Sequence, residues 1–141
     1  MALLRLFNPN VKLPEVKSVN STVTYLHSPE TYTFEPKKQY LINTYVRMDG
    51  DWRGQVCHLK NHKSLYRCGL RIYEEILDED NREDIVLYLT NESSNSVTVC
   101  QGQPIALFQV LMAYEIQETK EENSKQETPR NTREEVKVRI L

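Results

Sequence analysis

Glycine is scarce in this chain, with four residues in 141 (Gly50, Gly54, Gly69 and Gly102) and none after Gly102. A glycine-rich terminal segment that could wrap an anion in backbone N–H groups is therefore excluded. Cysteine is limited to three residues, Cys57, Cys68 and Cys100. The opening stretch MALLRLFNPNVKLP has one basic residue, Arg5, before Asn8-Pro9, and its apolar run is too short for a secretory signal. An odd cysteine count without an export signal argues against a disulfide framework and for reduced thiols in a cytoplasmic or nuclear setting. The sequons Asn20-Ser21-Thr22 and Asn91-Glu92-Ser93 then read as polar turns, with Asn20 and Asn91 as turn residues. No run approaches the roughly 20 apolar residues of a membrane span, so no membrane insertion is expected. Charge of one sign is lacking too: 18 basic and 20 acidic residues leave a net charge of −2. That balance removes the electrostatic case for nucleic acid as a partner.

What is present is a β pattern. Apolar residues make up 39% and charged residues 27% of the chain, a soluble composition with room for one domain and a tail. Apolar and aromatic runs recur between turn signals over residues 1–116. Strands are predicted at Leu3–Phe7, Val23–His27, Tyr32–Phe34, Tyr40–Met48, Val56–Leu59, Leu70–Tyr73, Ile85–Thr90, Val97–Cys100 and Ile105–Met112. Asp49-Gly50-Asp51 is a turn signal. Glu74–Asp84 (EEILDEDNRED) has good helix formers but no amphipathic period, and reads as a charged hairpin tip. The fold class is all-β, a compact antiparallel barrel or sandwich.

Composition shifts beyond Ile116. Residues 117–133 (QETKEENSKQETPRNTR) hold no large apolar residue and are predicted to form a disordered linker. Residues 134–141 end in an alternation of Val136, Val138 and Ile140, closed by Leu141, which suits a sheet edge or a groove. This C-terminal β arm could fold back on its own domain, exchange onto a neighbouring subunit, or bind a partner.

The stretch Ile76-Leu77-Asp78-Glu79-Asp80-Asn81-Arg82-Glu83-Asp84-Ile85, then VLYLTN, then GQPIALFQVL, resembles two motifs of the trimeric dUTPases (the β-clip family). There a Val-Ile-Asp-x-Asp-Tyr-Arg-Gly hairpin precedes a strand ending in Asn and a Gly-Asp-x-Ile-Ala-Gln-Leu strand. Upstream, Leu3–Leu6, Leu13-Pro14, Tyr25-Leu26-His27-Ser28, Tyr32–Pro36 and Gly54-Gln55-Val56 match in order. The resemblance implies the dUTPase fold and a possible homotrimer. It also implies a loss of function, because the residues the family uses are replaced. Its first-motif Asp falls on Tyr25. Its Pro-Arg-Ser-Gly phosphate contacts fall on His58-Leu59-Lys60-Asn61. Its uracil-facing glycine falls near Glu75, its sugar-packing tyrosine on Asn81, and its closing glycine on Glu83. The glycine-rich lid of the family has no counterpart. Asp78 keeps the register of the water-activating carboxylate, with Asp80 and Arg82 beside it as vestigial catalytic candidates. One carboxylate without phosphate ligands or a lid gives little positioning for phosphoryl chemistry. The expectation is a non-catalytic interaction or regulatory module without cofactor, Mg being relevant only if residual nucleotide hydrolysis exists. The alternative is a dUTP-type pyrophosphatase or nucleotide-binding protein using Asp78. Length and build are similar to the non-enzymatic, dUTPase-derived proteins of adenovirus early region four, which recruit host scaffold proteins. The terminus Val138-Arg139-Ile140-Leu141 matches a PDZ ligand poorly, since Arg139 stands near where a hydroxyl is wanted.

Cys57, His62 and Cys68 are weak zinc candidates, with His58 adjacent. Their spacing forms no CxxC pair, and a buried cysteine with exposed histidines is the simpler reading. A Cys–His nucleophile lacks a third orienting group. Lys60, His62, Lys63, Arg67 and Arg71, near Tyr66 and Tyr73, read as a solvated basic loop. Trp52 reads as a turn aromatic packed on the barrel, and would anchor an interface if exposed.

Overall fold

Period-two alternation builds nearly every element. A computed structural model of the chain describes residues 1–19, 21–111, 114–121 and 133–140. In chain order the elements are β1 (Ala2–Leu6), β2 (Glu15–Val16), β3 (Val23–His27), β4 (Tyr32–Phe34), β5 (Gln39–Asn43), β6 (Val46–Gly50), β7 (Cys57–Asn61), α1 (Lys63–Arg67), β8 (Leu70–Ile72), β9 (Glu75–Leu77), β10 (Val86–Asn91), β11 (Val97–Val99), β12 (Pro104–Val110), β13 (Tyr114–Glu121) and β14 (Arg133–Ile140). Every pairing is antiparallel. The sheets run β2–β3–β12–β7–β9, β5–β10–β8, β1–β6, β4–β11 and β13–β14. The all-β antiparallel class expected from the sequence is the one observed.

The chain divides into two units, Met1–Leu111 and Met112–Leu141. In the first, alternate residues of facing strands meet in one apolar core that includes Leu26, Phe34, Leu59, Leu87, Leu89, Ile105 and Phe108. Burying a side chain of this size stabilises the fold by about 1.5–3 kcal/mol. Trp52 is buried, as expected of a turn aromatic. Its ring lies edge-on to Phe108 at 5.8 Å, and its indole N–H donates to the carbonyls of Asp49 and Leu3 at 2.8 and 3.2 Å.

Besides Asp49-Gly50, which continues β6 instead of turning, four details differ from the sequence expectation. Tyr40–Met48 is not one strand: β5 ends at Asn43 and β6 begins at Val46. The Asn43 side-chain oxygen accepts the Tyr45 N–H at 2.7 Å, and Tyr45 stands at φ 59°, a left-handed conformation that stops the strand. Redirected, β6 pairs with β1 while β5 stays on β10. Secondly, α1 occupies the expected basic loop. A five-residue helix that buries only Leu65 has no room to show a helical period. Gly69 follows it at φ +90°, where a Cβ would fall 2.6 Å from the Ser93 side chain; glycine is needed there both for its dihedral and for its size. Thirdly, Asn91 is no turn residue. It closes β10 fully buried. Fourthly, residues 117–121, expected in the linker, form most of β13. Polar residues that cannot bury a face can still form a ladder when a partner strand satisfies their backbone.

In the second unit β14 pairs with β13, setting Ile140 opposite Tyr114, Val138 opposite Ile116 and Val136 opposite Glu118. The expectations for Asn20, Leu141 and linker residues 122–132 lie outside the described residues.

Candidate functional site

The positions that the family resemblance assigns to phosphate chemistry converge on one face of the five-stranded sheet. Register sets Glu15 beside Tyr25, Tyr25 beside Leu107, and Leu107 beside Lys60, and residues in such a row share a face. Leu107 falls where the family's fourth-motif strand carries its glutamine. Beyond β7 the chain turns at His62, the N-cap of α1, and brings the imidazole against the Tyr25 ring, centroids 5.6 Å apart and edge to face. His62 Nδ1 accepts the Ser64 N–H at 3.3 Å. Burial lowers the His62 pKa, which favours the uncharged ring at neutral pH. An acidic first-motif side chain is thus replaced by a phenol, the phosphate-contacting segment by strand residues of β7, and a neutral ring just beyond them packs on the phenol. The basic residues nearby are dispersed. Lys60 donates to the Gln109 side chain at 3.1 Å, and His58 faces Glu74 at 3.4 Å. Arg71 donates to the Tyr66 hydroxyl at 3.1 Å and approaches Glu92 at 3.6 Å. Partial burial opposes the charge of Glu74, but hydrogen bonds from Asn61 and the charges of His58 and Lys60 outweigh it and hold the carboxyl below its usual range. Asn61 also ties the sheets together: its side chain accepts the Ile72 N–H at 2.7 Å and donates to the Ile72 carbonyl at 3.2 Å.

Asp78, Asp80 and Arg82 lie together on the exposed turn after β9. Asp78 Oδ1 accepts the Asp80 N–H at 2.9 Å, and its carbonyl accepts the Asn81 N–H at 3.1 Å. Arg82 donates to the carbonyls of Glu79 and Gly50, both at 2.8 Å. The three residues hold the turn and pin it to the end of β6. Glu75, at the position of the uracil-facing glycine, is half-buried.

Cys57, His62 and Cys68 are not brought together: among the described residues no three His, Cys, Asp or Glu side chains form a metal-binding group. Cys57 is buried between β9 and β12, opposite Leu77 and Val110, whereas Cys68 and Cys100 are exposed. Burial pushes the Cys57 thiol up to about 11, and the thiolate is the reactive species. Iodoacetamide at pH 8 is accordingly expected to label two thiols in the native protein, with Cys57 modified only after denaturation; mass spectrometry of the labelled chain checks this.

The sequence reading missed one surface. On the outer face of β5–β10–β8, Leu41 pairs with Tyr88, and the Tyr73 N–H donates to the Tyr88 carbonyl at 2.8 Å. These three side chains are 64%, 53% and 69% exposed. They line a cleft of about 630 Å³ rimmed by Gln39, Arg71, Glu75 and Thr90. Alternation in VLYLTN pointed Tyr88 outward; that Leu41 and Tyr73 stand beside it depends on strand order.

Comparison with known proteins gives a consistent result. No curated protein matches the sequence. Among solved structures, the dUTPase of Staphylococcus bacteriophage 80alpha aligns over 87% of this chain and 96% of its own, at 17% identity and a TM-score of 0.72. A mutant dUTPase from phage phi11 of S. aureus aligns over 87% and 97%, at 16% identity and a TM-score of 0.73. A mutant 80alpha enzyme with dUpNHpp aligns over 90% and 92%, at 18% identity and a TM-score of 0.69. At such identities the likeness is one of fold. The dUTPase family profile matches residues 10–135, most of the sequence, and on that match the chain belongs to the dUTPase family.

Proposed function

We propose that this dUTPase-family protein is a non-catalytic interaction and regulatory module, viral in origin and acting on host signalling in the cytoplasm or nucleus. The observation that carries this reading is the Tyr25–His62 contact, beside Leu107 and a Lys60 already paired with Gln109. Phosphoryl transfer rests on positioning and charge stabilisation, and neither a phenol nor a neutral imidazole supplies that to a triphosphate. Asp78, in register with the family's water-activating carboxylate, spends one oxygen on the Asp80 N–H. Resemblance to the dUTPase-derived proteins of adenovirus early region four supports the signalling role. So does a phage relative described as controlling transfer of virulence genes by a proto-oncogenic G protein-like mechanism. Partner contacts are assigned to the exposed Leu41–Tyr88–Tyr73 row, since exposed apolar patches mark interaction surfaces, and to Val136, Val138, Ile140 and Leu141 of the arm. A homotrimer, as the family implies, fits the same chemistry.

A pyrophosphatase assay over the deoxynucleoside triphosphates with magnesium tests the reading. Turnover at background is expected for the wild type and unchanged in Asp78→Asn. Turnover in the wild type that disappears in Asp78→Asn would establish a nucleotide hydrolase instead.

A further inference from the structure

His27, the last residue of β3, is 3% exposed, and among the described residues neither ring nitrogen makes a well-formed hydrogen bond, the backbone of Lys12 and Leu13 lying beside the ring. Among the described residues it is the only side chain with two buried nitrogens left without such a bond. Leaving polar atoms of a buried ring poorly paired is unfavourable, and the exposed Glu15 carboxylate stands 3.8 Å from Nε2. Glu15 is already committed to Lys12, 3.6 Å away. The opposing residue of β12 is Pro104, which brings no charge, so Lys12 and Glu15 are the charged groups that act on the ring.

The element over His27 is weak. Strand β2 is two residues long at the edge of its sheet, held by pairing of Glu15 with Tyr25 and Val16 with Thr24 and by the Lys17 N–H to the Val23 carbonyl at 2.9 Å. Leu13 and Val16 are exposed. An edge segment with so little buried area opens at small free-energy cost.

We propose that His27 is an acid-sensitive latch, whose protonation releases the Lys12–Lys17 segment from β3 and exposes the edge of the five-stranded sheet. Burial, then the Lys12 charge, depress proton binding by the closed form; Glu15 and the backbone of Lys12 and Leu13 only partly offset them. The open form regains the ordinary histidine value of about 6.5. Between the two values the open form binds more protons, so the closed form is fully favoured above pH 6.5 and loses ground as pH falls below it. An opened edge offers unpaired backbone groups to an extended strand.

Hydrogen–deuterium exchange of the full-length protein tests this. After correction for intrinsic rates, amides of residues 15–17 are expected to exchange several-fold faster at pH 5.5 than at pH 7.5, with β12 unchanged. His27→Phe, which removes both nitrogens, is expected to abolish that difference. A histidine-ring NMR titration of the wild type supplies a second readout, with the His27 midpoint below 6.5. A midpoint at or above 6.5, or equal protection of residues 15–17 at both pH values, would overturn the latch.

Discussion

Asn91→Leu is expected to lower the unfolding free energy of the β unit by about 3–5 kcal/mol, since each buried polar group left unpaired costs about 1–3 kcal/mol. The side chain is fully buried and uses both of its ends. Its amide donates to the carbonyls of Phe34 and Asn95 at 2.9 and 2.8 Å. Its oxygen accepts the Ser93 N–H and hydroxyl at 3.0 and 2.7 Å. Its backbone joins the same knot, donating to Lys38 and accepting from Lys37. One side chain therefore ties the end of β10 to the end of β4 and closes the turn leading to β11. Leucine conserves most of the volume but strands two carbonyls and one N–H. Urea denaturation followed by tryptophan fluorescence measures the loss, with Ser93→Ala as the reference at about 1 kcal/mol. A loss under about 1 kcal/mol for Asn91→Leu would show that water takes over the amide's bonds.

Phe108→Ala is expected to cost a similar amount, about 3–5 kcal/mol, by a different mechanism. Phe108 lies mid-strand in β12, between Thr24 and Leu59 in register, and its ring meets the Trp52 edge. Truncation removes the apolar contacts and leaves a cavity that β3 and β7, hydrogen-bonded on either side, cannot close. Fluorescence is a direct check, because Trp52 is the single tryptophan: its emission is expected to shift as the ring loses its packing partner. An unshifted emission with a loss under about 1 kcal/mol would mean the strands collapse onto the gap.

These two residues show where local reading succeeds and where it stops. Phe108 falls in a predicted strand because IALFQV is an apolar run between turn signals, and a near-continuous apolar run is what a strand inside a sheet shows. Asn91 is identical in kind to many turn residues; only the convergence of Phe34, Ser93 and Asn95 upon it makes it a core residue. The short helix α1 left no trace because a single turn cannot display a period. Asn43 is a poor strand former within YLINTYVRM, but the stop at Tyr45 comes from the bond its side chain makes and from a left-handed dihedral. For the site, replacement of the family's carboxylate by Tyr25 was legible residue by residue. The packing of His62 against Tyr25 was not, since 36 residues of intervening chain separate the two.

What the sequence determined alone was therefore the strand content and the chemistry that is missing. Alternation is a local property, and a chain with four glycines and a tyrosine for an aspartate lacks those groups in any conformation. The tertiary structure decided strand partners, the neutral Tyr25–His62 pair, the poorly paired His27 and the exposed row Leu41–Tyr88–Tyr73. Each depends on register between distant strands, and register is set by which faces the whole fold can bury.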